Sequence, residues 1–166
     1  KSLAESSRTT SLEEFVMINF KDTAMFSNAA VSHLAQFLKP SLSTFRKLEI
    51  ENAQFDEMCS LIRLVSSCEN LEELELVRCV VAGNDDQDNA VAVDGDSGKQ
   101  LLLPKLNKLK LGLSKLDESF CRDFLMHLEN LEELDLGRDC NFHCSGWMKY
   151  LIPLRSLKKL SLNNVC

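Results

Sequence analysis

Apolar residues recur along the chain in one six-residue figure, apolar-x-x-apolar-x-apolar, whose copies begin at Leu12, Phe45, Leu71, Leu106, Leu131 and Leu157. They read L-E-E-F-V-M, F-R-K-L-E-I, L-E-E-L-E-L, L-N-K-L-K-L, L-E-E-L-D-L and L-K-K-L-S-L. The last three residues of each copy point alternately to opposite faces, so they predict short strands such as Phe15 to Met17 and Leu74 to Leu76, buried on one side only. Successive copies lie 33, 26, 35, 25 and 26 residues apart. Three intervals agree, and the two long ones read as insertions into a repeat. A three-residue strand cannot bury its apolar residues alone, so the copies are expected to stack on one another around a continuous core.

The segments between copies carry a different period. A-A-V-S-H-L-A-Q-F-L places Val31, Leu34 and Leu38 at helical spacing and is closed by Pro40, where a helix cannot continue. Ala53 and Phe55 lead to an N-cap candidate, Asp56, and a helix with Leu61, Leu64 and Val65 inward. Asp117 caps E-S-F-C-R-D-F-L-M-H-L, with Phe120, Phe124, Leu125 and Leu128 inward. W-M-K-Y-L-I reads as a further helix ended by Pro153, with Trp147 and Tyr150 in the core. One segment breaks the pattern. Residues 82–100 hold five aspartates and three glycines without a helical period, and predict an acidic flexible loop. The connection K-D-T-A-M-F-S-N accounts for the first long interval.

The register has an internal check. If the copies align, residues after each anchor become lateral neighbours in a parallel sheet. The second position reads Glu14, Lys47, Glu73, Lys108, Glu133, Lys159, changing sign at every step. The first reads Glu13, Arg46, Glu72, Asn107, Glu132, Lys158, with one neutral member. Charge was not used to align the copies, so the alternation supports the register independently.

Composition narrows the functional classes. With 166 residues, 45% of them hydrophobic, the chain is expected to form a single repeat domain over 1–166. A net charge of −6 argues against a nucleic-acid partner, and the absence of a long apolar run argues against a membrane span. Seven cysteines, an odd number spread through the repeats, read as reduced thiols of a cytoplasmic or nuclear protein. Lys1 in place of Met, and a last strand without a cap, suggest a fragment of a longer chain. No catalytic constellation is visible around His33, His127 or His143, so an enzyme is not expected. Cys140, His143 and Cys144 lack the second ligand pair of a structural zinc site. The aspartate-rich stretch does not follow a calcium-loop order, and G-D-S-G-K lacks the first glycine and the final Ser or Thr of a phosphate loop. Neither metal nor cofactor is expected.

The stretch Cys68 to Cys79, C-E-N-L-E-E-L-E-L-V-R-C, with a period near 26, resembles the cysteine-containing leucine-rich repeats typified by F-box proteins, the substrate receptors of cullin-based ubiquitin ligases. The resemblance implies an α/β fold: a right-handed solenoid of about six repeats with a concave parallel sheet and convex helices. It implies a protein-protein interaction scaffold that binds another protein, and a cullin-ligase adaptor only if an F-box lies outside this sequence. Repeat domains of cytosolic innate sensors or of ribonuclease inhibitor are similar in architecture, and give a ligand-sensing or regulatory alternative. The positions alternating with the leucines place the expected binding face at Glu73, Glu75, Lys108, Lys110, Glu133 and Asp135, with Arg78 and Arg138 flanking it at the strand ends.

Overall fold

A computed structural model of the chain describes residues 12–18, 24–41, 43–55, 62, 64–81, 103–113, 118–137 and 146–162. The 82–100 loop, Asp56, Leu61, Asp117, Arg138 and the Cys140–His143–Cys144 group lie outside them. The described strands are β1 (Glu14–Ile18), β2 (Ala24–Phe26), β3 (Lys47–Glu51), β4 (Ala53–Phe55), β5 (Glu73–Val81), β6 (Lys108–Leu113), β7 (Glu133–Leu136) and β8 (Lys159–Leu162). The chain is an α/β protein with an open parallel sheet. Its main path runs β1-β3-β5-β6-β7-β8 in chain order, every neighbour parallel.

Each of the six repeated figures contributes one strand of that path, and the register is the one the charges predict. Glu14 pairs with Lys47, Lys47 with Glu73, Glu73 with Lys108, Lys108 with Glu133, and Glu133 with Lys159. The junctions share one backbone device. The carbonyl of Glu13 accepts the N–H groups of Arg46 and Lys47, and Arg46, Glu72, Asn107 and Glu132 repeat this toward the following strand.

The two sheet faces differ completely. Leu48, Ile50, Leu74, Leu76, Leu109, Leu111, Leu134 and Leu136 are all buried on one face, each worth about 1.5–3 kcal/mol relative to exposure. Over them pack Val31 and Leu38 from the helix Asn28–Leu38, then Leu64, Val65, Phe120, Phe124, Leu125, Leu128, Trp147 and Tyr150. This is a two-layer arrangement, with helices and turns on the leucine face and the charged side chains opposite.

Three local expectations change. The first connection contains β2, which pairs with β4, and β4 with the end of β5, forming a short second set of parallel strands. Ala53 and Phe55 are buried on either side of Gln54, a strand alternation too short to stand out in sequence. The segment after residue 117 is α-helical only over Glu118–Asp123 and continues as a 3-10 helix, Leu125–His127. W-M-K-Y-L is 3-10 throughout, entered from Gly146 at φ +78°, a left-handed conformation that glycine adopts without a Cβ penalty. The 3-10 turn still brings Trp147 and Tyr150 inward, where both are buried. Ser27 caps the first helix by accepting from the N–H of Ala30 at 3.3 Å, and Pro40 sits in the 3-10 turn that ends it. His33 and His127 are exposed. Among the described residues no helix is long and apolar enough to cross a membrane.

Candidate functional site

The polar face of β3, β5, β6 and β7 is where the sequence-derived binding residues gather. Glu73, Lys108 and Glu133 form one lateral row, and Glu75, Lys110 and Asp135 the next. Strand alternation places all six on the face away from the leucines, so their position follows from the core rather than from one another.

Their contacts join the two rows. Lys108 Nζ lies 3.3 Å from Glu73, and Lys110 Nζ lies 3.3 Å from Glu75. Diagonal contacts then bring Lys108 to 3.7 Å and Lys47 to 3.5 Å of the other Glu75 oxygen. Glu75 therefore sits beneath three lysines and is only 8% exposed. Burial opposes its charge, yet the Lys110 hydrogen bond and the fields of Lys110, Lys47 and Lys108 outweigh it and hold the carboxyl below its usual range. Lys108 is shifted the opposite way, its hydrogen bond to Glu73 raising it against a burial penalty. For Lys47 burial works downward, but Glu49, Glu75 and Glu73 together raise it.

One residue departs from expectation. Arg78 was expected to flank the face from a strand end, but it lies inside β5 at φ +52°, where one extra residue interrupts the pairing with β6 between Leu76 and Cys79. Its guanidinium is paired with Glu51 of the neighbouring strand, so it holds a carboxylate of this protein. Arg138 lies outside the described residues. Sequence reasoning also stopped short of Lys47, which reaches Glu75 diagonally across β3 and β5; a purely lateral alignment of rows does not reveal that contact.

Asp135 is the unbalanced member. Its register partner Lys110 is turned toward Glu75, and Asp135 Oδ1 is buried with no hydrogen-bond partner among the described residues. A buried acceptor in that state costs about 1–3 kcal/mol until a donor reaches it. The face thus presents fixed charges around one unsatisfied acceptor.

Among the described residues, metal or thiol chemistry has no comparable geometry. Among the described residues no group of three or more His, Cys, Asp or Glu side chains is placed to hold a metal ion. Cys68, Cys79 and Cys121 are buried thiols outside any disulfide. Burial pushes Cys68 up to about 11 and raises Cys79, so both stay protonated and unreactive at neutral pH. Compared with known proteins, the chain matches no family model and no curated sequence.

Proposed function

We propose that the chain is a leucine-rich repeat solenoid of about six repeats, right-handed, with the charged sheet as its concave face, and that this face binds another protein without catalysing a reaction. The observation that carries the reading is Asp135 Oδ1, a buried acceptor that no donor among the described residues reaches, in the middle of an ordered field of lysines and carboxylates. A partner supplying an N–H or ammonium there relieves a desolvation cost already present in this protein. The surrounding charges select the partner by sign more than they add affinity. Resemblance to the F-box repeat class makes a substrate of a ubiquitin ligase the favoured kind of partner. Buried, protonated thiols suit the reducing cytoplasm or nucleus.

The experiment is affinity capture from cell extract with the wild-type chain, K108E/K110E and the distant surface control K39E, with circular dichroism to check folding. A protein retained by wild type and K39E, lost with K108E/K110E and released by salt is the expected outcome. An unchanged set of captured proteins on K108E/K110E refutes the assignment.

A further inference from the structure

The charged face shares out its cations unevenly. On β3, β5 and β7 the described carboxylates of that face are Glu49, Glu51, Glu73, Glu75, Glu133 and Asp135. Lys47 lies 3.3 Å from Glu49, Lys108 3.3 Å from Glu73 and Lys159 3.2 Å from Glu133, and Arg78 pairs with Glu51. Glu75 holds three cations, Lys110, Lys47 and Lys108. Asp135 holds none among the described residues, and no donor among them reaches its buried Oδ1.

The shortfall traces to one side chain. Lys110 stands in register with Glu75 on one side and Asp135 on the other, each one strand spacing of about 4.8 Å away. It turns to Glu75, which Lys47 and Lys108 already approach from the neighbouring row. The other cations near Asp135 are committed as well, Lys108 to Glu73 and Lys159 to Glu133. On the β8 side the register partner of Asp135 is Ser161, which carries no charge. In this row Glu49, Glu75 and Asp135 thus stand against Lys110, and the two ammonium groups that bend into it stop at Glu49 and Glu75.

We infer that Asp135 is where this face takes a cationic side chain of its partner, a guanidinium or an ammonium, and that Glu75 is the positioning residue that keeps Lys110 from occupying the place. The inference rests on the reading of the face as a protein-binding surface. A neutral donor would satisfy Oδ1 and leave the charge of the row uncompensated, whereas a charge-assisted hydrogen bond supplies both and is roughly twice as strong. Neutralising Glu75 removes the charge that draws Lys110, which then swings to its other register partner and competes with the incoming cation.

Propylguanidinium, the end of an arginine side chain, is the probe, with its neutral isostere propylurea as control. Each is titrated into the free chain at constant ionic strength while side-chain carboxyl 13C shifts are followed by NMR. Propylguanidinium should move the wild-type Asp135 signal more than that of Glu133, which Lys159 already holds, and propylurea should move neither. E75Q should lose the Asp135 response, and E75Q/K110Q should regain it, a rescue that a merely structural role of Glu75 does not give. Equal responses at Asp135 and Glu133, an equal response to propylurea, an E75Q protein that responds as wild type does, or an E75Q/K110Q protein as silent as E75Q overturns the inference. Circular dichroism checks folding, and if E75Q unfolds, Glu75→Asp, whose shorter side chain withdraws its carboxyl from Lys110, takes its place. The titration also separates the two readings: a response confined to Asp135 without a captured protein overturns the protein partner, and a captured protein without that response overturns the cation site.

Discussion

At the scale of single residues, Glu75 shows how a lateral charge row becomes a cluster. Its side chain touches Lys110 across one strand pair and Lys47 and Lys108 along diagonals. Its carboxyl is held below the ordinary glutamate value of 4.5, so the stability it contributes is present above that value and is lost as pH falls through the depressed folded one. Lys108 is raised above 10.5, so its contribution is present below that value and is lost as pH rises through the folded one. Glu75→Gln should therefore lower stability at neutral pH by about 1–2 kcal/mol, less than a fully buried pair because the lysines keep contact with water. Urea melts of both proteins should converge as pH falls through the depressed folded value, below which wild-type Glu75 is neutral too; a difference that persists there assigns the effect to packing instead. The position before the anchor supplies another tie to the preceding figure in three of the copies. Asn70 donates to the carbonyl of Ser43 at 2.6 Å, Asn130 to that of Pro104 at 2.8 Å, and Thr44 to that of Leu12 at 3.0 Å. Asn70 and Asn130 stand in identical E-N-L-E-E-L stretches, a coincidence that sequence alone shows without its reason.

At the scale of elements, the bulge in β5 is held in place from the neighbouring strand. Gly112 of β6 lies under it, and a Cβ there would meet the backbone nitrogen of Arg78 at 3.1 Å and the carbonyl of Leu76 at 3.4 Å. Both contacts are backbone, so neither can swing aside. Gly112→Ala should destabilise by about 1–3 kcal/mol, and hydrogen exchange should quicken at β5 and β6 while β1 and β8 are unaffected. Uniform loss of protection over the whole sheet would mean that the strain is not local. This bulge marks the limit of what the sequence discloses. The six main strands and their order were legible because leucine spacing and charge sign are carried by every copy. Helix type was not, since Phe120 and Phe124 face inward equally well from an α-turn and from the 3-10 turn that follows. The β2 and β4 strands escaped because three residues hold a single alternation. Arg78 was misplaced at a strand end because a bulge lengthens β5 without changing the leucine pattern that precedes it. In the site, lateral partners were readable from the copies, whereas the burial of Glu75 and the reach of Lys47 depend on where long side chains bend across the pleat.

At the scale of the whole molecule, the main sheet is a line of strands in which, among the described residues, each internal strand pairs with the one before and the one after it, β5 pairing with β4 as well, so a side chain's contribution should depend on its place in the line. Leu109 in β6 and Leu160 in β8 occupy equivalent positions of the repeated figure, and the structure separates them only by what lies on either side. Leu109 is fully buried between Leu74 and Leu134. Among the described residues Leu160 has a strand partner, Leu134, on one side only, and it is 43% exposed. Leu109→Ala opens a cavity that two flanking strands prevent from collapsing, and should cost about 3–5 kcal/mol. Leu160→Ala forfeits less buried area and leaves no closed cavity, and should cost about 1 kcal/mol or less. Urea denaturation at concentrations where the chain is monomeric measures both. Equal losses would show that β8 is covered as fully as β6.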